Sequence, residues 1–326
     1  MGLAGRDIRR ALLASVVAPA ALLVLPAGAP AHQPQPQPPT SAEVRELTRD
    51  FVRSQGLPAA RGVGGVGTDP TGGGRRLFGE AIYVAFYGAP QLTGTVLGKS
   101  SPSRAMGKLK RQAKAYGKAG DRPVERAVNL IGVIATADPG SDELYRTRQS
   151  DRIIANYLTA ARSIGARLVL DIQPGRASVL DEMRELRRWL REPDVDVAID
   201  PEWNVGRKEI PGQDEGSIKA EELNKATALL DRLVERQGLP PKALIVHQFR
   251  EGSVRGRDEL LQGEAVEVLL NFDGIGGRRA KKAGYRRLAV EGVFNGFSLF
   301  YDLDDRLMKP PAVLALDPRV DYAMYQ

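Results

Sequence analysis

Residues 167–203 read RLVLDIQPGRASVLDEMRELRRWLREPDVDVAIDPEW, and the alternation inside this stretch decides the fold. Arg167 to Ile172 is a short apolar run that Pro174 and Gly175 break, and Val195 to Asp200 is a second such run, closed by Pro201. Ser178 to Leu190, between them, has the length of a helix. A strand, a helix and a second strand in this order form a βα unit of a parallel sheet. The same rhythm extends in both directions. Ala81 to Tyr87 and Val128 to Thr136 precede it, and Ala243 to Gln248, Val266 to Phe272, Gly296 to Tyr301 and, as an eighth strand, Ala312 to Leu316 follow. Helical segments are expected at Met106 to Lys118, Ser150 to Ile164, Ile218 to Gln237 and Arg278 to Leu288. The fourth of the five helices carries the stripe Ala220, Leu223, Ala226, Leu230 and Leu233 and stops at Gly238 before Pro240-Pro241. Residues 80–326 match the size of about 250 residues usual for a (β/α)8 TIM-type barrel. That is the expected α/β fold, possible irregularities in the ring included, with a doubly wound open sheet as the alternative.

The first 31 residues have the layout of a secretory signal peptide. Arg6, Arg9 and Arg10 precede an apolar run from Ala11 to Leu25, and Ala29-Pro30-Ala31 offers a cleavage site. The run is shorter than the roughly 20 residues of a membrane span, so export to the extracellular side and removal are expected. The Sec route is favoured over Tat, because Ile8 stands where a twin-arginine signal has Ser or Thr. Residues 32–79 follow as a linker. His32 to Pro39 alternates Gln and Pro and should be a disordered, extended spacer. Thr40-Ser41-Ala42-Glu43 has the form of a capping box, and Val44, Leu47 and Phe51 make a short amphipathic helix to about Gln55. Gly62-Val63-Gly64-Gly65-Val66-Gly67 matches the dinucleotide pattern only formally, since no strand precedes it and no helix follows.

The chain has no cysteine, which excludes disulfides, a lipid-anchoring thiol, a thiol nucleophile and thiolate zinc sites. Its two histidines, His32 and His247, cannot supply the paired-histidine motifs of zinc hydrolases. No cofactor is expected, and an oxygen-rich calcium or magnesium site is the metal-dependent alternative. G-x-S-x-G and P-loop patterns are missing. The net charge is +7; Arg6, Arg9 and Arg10 against Asp7 account for +2 of it, so the remainder keeps +5 and favours anionic envelope polymers as partners. The basic stretches Lys108 to Lys118 and Arg278 to Arg287 read as the wet faces of outer helices. No nucleic-acid module accompanies them.

In parallel α/β domains, functional groups collect at the carboxyl ends of the strands. Here those ends carry Tyr87, Asp171 and Gln173, Asp200 and Glu202 with Trp203 behind them, His247 and Gln248, Asn271 and Asp273, and Tyr301. Side chains alternate along a strand, so Asp171 pairs with Gln173 and Asp200 with Glu202. If these two strands are neighbours, three carboxylates meet. Crowded carboxylates repel and are costly to desolvate, so folding alone does not account for them. Each also has a plainer reading. Asp200-Pro201 and Asp273-Gly274 are common turn pairs, His247 could be a hydrogen-bonded wall residue, and Asp302 a solvated loop residue.

An Asp-x-Glu pair ending the fourth strand, Asp200-Pro201-Glu202, beside Trp203 in an exported barrel, resembles the glycoside hydrolase barrels of the chitinase and bacterial muramidase kind. The chain departs from the chitinase pattern at Ala198 and from the muramidase pattern at Tyr87. The resemblance implies hydrolysis of a cell-envelope or extracellular polysaccharide by a proton-donating carboxyl and a second carboxylate. Glu202 would be the acid, Asp200 would orient it or stabilise the cation, and Asp171 or Asp273 would be the second carboxylate. Trp203, Tyr87 and Tyr301 would stack on sugar rings, and Gln173, Asn271, Gln248 and His247 would complete the substrate site. A non-catalytic glycan-binding protein of the envelope, using the same cleft, is the other reading.

Overall fold

A computed structural model describes residues 61–62, 76–290 and 293–326. The expected signal peptide, the Pro/Gln spacer, the amphipathic helix and most of the glycine-rich segment lie outside the described residues. Eight strands form the central sheet: β1 (Ile82–Gly88), β2 (Val124–Ala135), β3 (Arg167–Ile172), β4 (Val195–Ile199), β5 (Lys242–Gln248), β6 (Val266–Phe272), β7 (Phe294–Leu299) and β8 (Tyr322–Tyr325). Each is parallel to both neighbours, and β1 pairs with β8 on one side and β2 on the other, so the sheet closes in chain order. This is a TIM-type barrel.

The helices follow from the same periodicities. α1 (Pro102–Gly117) and α2 (Asp151–Arg162) cover the first strands, α3 (Val179–Glu185) and α4 (Arg187–Leu190) form a broken pair after β3, and α5 (Ala220–Gln237), α6 (Arg278–Leu288) and α7 (Pro310–Leu314) complete the ring. Leu223, Ala226, Leu230 and Leu233 of α5 are buried against the barrel, and Gly238 ends the helix at φ 59°, as a left-handed C-terminal glycine does.

One expected element is corrected. Ala312–Leu316 is not the eighth strand: Pro310 and Pro311 occupy the first helical positions, where their missing N–H groups are not needed, and the segment becomes α7. The ring is closed instead by Tyr322–Tyr325, whose four residues pair in register with β7 and β1. The broken third helix is the barrel's other irregularity.

Strand alternation sorts the core into two compartments. Outward residues such as Leu244 and Val246 of β5 pack beneath the helices, while Ala243 and Ile245 point into the barrel with Ala85, Ala127, Val169, Ala198, Leu269 and Met324. At Gly296, a Cβ would come within 2.4 Å of the Asn271 side-chain oxygen, so only glycine leaves room for that side chain. Phe78 closes the amino-terminal end by ring contacts to Tyr83, Phe294 and Tyr322, and its segment is tied down by the Leu77 and Phe78 N–H groups, which donate to the Glu267 carboxylate at 3.1 and 2.8 Å.

Candidate active site

The loops at the carboxyl end are braced by local contacts. β2 runs beyond the barrel and pairs antiparallel with Arg146–Arg148, whose two arginines hold the buried Glu182 of α3 at 2.8 and 2.6 Å. Gly175 lets the chain after β3 pass against this hairpin: at φ 62° its backbone lies where a Cβ would meet the Leu144 carbonyl oxygen at 2.4 Å. After β4 the chain makes one turn of 3-10 helix, Pro201–Trp203, with the Asp200 side chain accepting from the Glu202 N–H at its start. Further on, Ile218–Lys219 pairs with Val254–Arg255, which joins the loop after β4 to the loop after β5.

Within this frame, β3 and β4 are adjacent and Asp171 lies in register with Ala198. Asp171 is 0% exposed, His247 2%, and Asp200 and Asp273 7% each. His247 stands between two of these carboxyls. Its Nδ1 is 2.7 Å from Asp273 Oδ2 and its Nε2 is 3.0 Å from Asp171 Oδ2. The first contact is an aligned hydrogen bond. The second is an ion pair off the hydrogen-bond direction, so neither Asp171 oxygen has a hydrogen-bond donor among the described protein groups.

Asp273 is held from its other side. Asn271 Nδ2 donates to Asp273 Oδ1 at 2.8 Å, and the Ser298 hydroxyl donates to the same oxygen. Tyr87 lies edge-on to the imidazole at 5.9 Å between ring centres, and the Gln173 amide donates to its hydroxyl at 3.2 Å. Strands β1, β3, β4, β5, β6 and β7 therefore all contribute to one polar layer. Glu202 and Trp203 sit above it, half-buried on the rim.

The electrostatics of the layer follow from this geometry. Burial pushes the His247 imidazole down, but the carboxylates of Asp273 and Asp171 together outweigh it, so its pKa is held well above the ordinary 6.5. Burial pushes the Asp200 carboxyl up; His247 pulls it down, and Glu202, Asp171 and Asp273 add to the upward shift, leaving it well above the ordinary 3.8. Tyr87 is likewise raised, first by burial and then by the charges of Asp171, Asp200 and Asp273. The layer thus favours the charged form of the imidazole and the protonated form of Asp200. Among the described residues, no arginine or lysine pairs with Asp171 or Asp200, whereas Asp196 is matched by Arg167 at 2.5 Å and Asp304 by Lys281 at 2.7 Å.

Of the residues singled out in the sequence, Tyr87, Asp171, Gln173, Asp200, His247, Asn271 and Asp273 come together here, with Glu202 and Trp203 at the rim. Two point elsewhere. Gln248 faces the outside of the barrel, where its amide donates to the Leu288 carbonyl at 2.8 Å, and Tyr301 packs on Tyr325 on the outer side, 41% exposed. Ser298 was missed as a site residue, as was Asn129, a buried residue of β2 whose amide reaches Met324 Sδ at 3.4 Å. A signal existed for both: each is a polar residue on the inward phase of a strand, Asn129 within the apolar run Val128–Ala135 and Ser298 between Phe297 and Leu299. No group of three or more His, Asp or Glu side chains is disposed around a common metal position among the described residues.

No family model matches the chain, and no curated protein matches it in sequence.

Proposed function

We propose that the barrel is a glycoside hydrolase-like enzyme acting on a cell-envelope or extracellular polysaccharide by carboxylate acid/base catalysis. The observation that carries this reading is the buried Asp200 beside Glu202, at the end of β4, its carboxyl pushed up by burial, above a layer in which His247 lies 2.7 Å from Asp273 and 3.0 Å from Asp171. Glycosidic cleavage needs a carboxyl that keeps its proton near neutral pH and a field that favours positive charge on the sugar. Glu202, on the rim, delivers the proton to the leaving oxygen, and Asp200 beneath it holds a proton in reserve. Asp273 is the second carboxylate that faces the developing cation. Asp171 has no exposed surface, so it acts through His247 as a positioning residue. Trp203, half-buried on the rim, offers a face to a sugar ring, while Tyr87, Gln173 and Asn271, buried in the layer beneath, hold the polar network together.

The test is release of reducing sugar from peptidoglycan and common polysaccharides by the full chain. Glu202→Gln and Asp200→Asn should each lower the rate by about 10²-fold or more while the protein still folds. The near-complete burial of Asp171, Asp200 and His247 favours one second reading, a glycan-binding protein without turnover. Binding of glycan with no release by the wild type would establish that reading, and activity lost to a chelator but partly kept by both amide variants would point to a metal-dependent hydrolase instead.

A further inference from the structure

The broken helix pair after β3 has a consequence on the opposite side of the barrel wall from the polar layer. α3 and α4 have 7 and 4 residues, whereas the neighbouring α5 has 18. At 1.5 Å per residue, the short pair cannot cover the whole of α5. A cavity of about 360 Å³ opens between them along the carboxyl-terminal half of α5. Because α5 runs back towards the strand starts, this cavity lies away from the mouth that holds Asp200 and Glu202.

Its floor is apolar, made by Leu180 and Met183 of α3 with Leu229 and Leu233 of α5. Its walls are basic. Five of its eleven lining residues are arginine or lysine and none is acidic. Two of the five are already matched: Lys225 by Glu221 at 2.5 Å, and Arg184 by Asp181. Arg187 and Arg236 are exposed on the two sides of the opening, one on each helix wall, with no carboxylate partner among the described residues. An apolar trough with unmatched guanidinium groups at its lip is complementary to a molecule with a hydrocarbon body and an anionic head.

We infer that this groove is a binding site for a single-chain acyl carboxylate, a fatty acid. The volume supports one chain rather than two. Small-molecule sites span about 300–1,000 Å³, and this groove is at the lower end. The guanidinium fork matches a carboxylate with two parallel hydrogen bonds, and the leucine floor removes the chain from water. Nothing in this inference rests on the reaction proposed for the mouth of the barrel.

The experiment is isothermal titration of the full chain with dodecanoate below its micelle concentration, repeated with acetate, dodecyl maltoside and a lysophospholipid. One dodecanoate per chain is expected, with Arg187→Glu/Arg236→Glu weakening it by about tenfold or more. A second variant, Leu229→Gln, should weaken dodecanoate by a similar factor without changing the surface charge. Four outcomes overturn the inference: acetate binding as tightly as dodecanoate, dodecyl maltoside binding as tightly, the lysophospholipid binding tighter, or dodecanoate affinity unmoved by the charge reversal. Failure of dodecanoate to bind also overturns it, and sedimentation of the same sample would then show whether a second copy of the chain covers the groove.

Discussion

Replacing His247 with leucine removes the cation between two buried carboxylates while roughly keeping the volume. Asp273 retains its bonds from Asn271 and Ser298, so most of the loss falls on Asp171, which has no hydrogen-bond donor and no exposed surface. Breaking a buried ion pair from one side costs about 3–5 kcal/mol.

The imidazole sets the pH dependence. In the wild type, the raised imidazole contributes stability fully present below the unfolded value near 6.5 and lost as the pH rises through its higher folded value. The leucine variant lacks that contribution, so the gap to wild type should be widest below about pH 6.5 and narrow as the pH rises. Adding Asp171→Asn to the variant should restore most of the loss. Urea unfolding followed by tryptophan fluorescence measures all three proteins. The charge itself is visible by nitrogen-15 NMR of the imidazoles, because the chain has two histidines and His247→Leu assigns them by subtraction. A penalty under about 1 kcal/mol at pH 7, or an imidazole that titrates at or below about 6.5, would refute the reasoning.

Gly175→Ala should lower the melting temperature without changing the helix content. It forces a Cβ to 2.4 Å from the Leu144 carbonyl oxygen at a φ of 62°, a strain of about 1–3 kcal/mol, and an unchanged melting curve would remove that contact from the account. Asp231, whose burial pushes its carboxyl up to about 6 against the hydrogen bonds from the Ala265 and Glu264 N–H groups, contributes stability that is complete below about pH 4 and lost as the pH rises to about 6. Asp231→Asn should flatten that part of the stability curve measured by urea unfolding, and an identical slope in both proteins would contradict the assignment.

The barrel was legible because seven of its strands are apolar runs broken by turn residues, and the helices between them keep a 3.6-residue stripe. The eighth was not, because Tyr322-Ala323-Met324-Tyr325 is too short to show a period and its strand character comes from the two neighbours it pairs with. At the site, alternation was enough to place Asp171, Asp200 and Gln173 inside. It failed at Gln248 because the inward phase of β5 belongs to His247, and two adjacent residues of a strand cannot both face the interior. It failed at Tyr301 because the strand ends at Leu299 and the alternation no longer applies beyond it. The pairing of His247 with both Asp171 and Asp273 was out of reach, since it depends on which side chains meet across β3, β5 and β6, and spacing along one strand carries no such information.

The two ends of the barrel treat buried charge differently, and the difference bears on what the carboxyl end is for. At the amino end three buried or half-buried charges are answered locally: Arg167 by Asp196, Lys242 by the carbonyls of Glu192 and Val195, and Glu267 by two backbone N–H groups. Such pairing is what folding alone would select, because an unanswered buried charge costs several kcal/mol. At the carboxyl end, three aspartates surround one histidine, burial pushes the carboxyl of Asp200 well above its ordinary value, and Asp171 has no hydrogen-bond donor among the described protein groups. Exchanging Asp200 for asparagine would lower that repulsion, so Asp200→Asn should leave the isolated fold at least as stable as the wild type in urea unfolding, with the advantage growing as the pH rises. A carboxyl kept buried beside other carboxylates at a cost to the fold is in keeping with the reaction proposed for the rim, because negative potential there would favour a positively charged transition state.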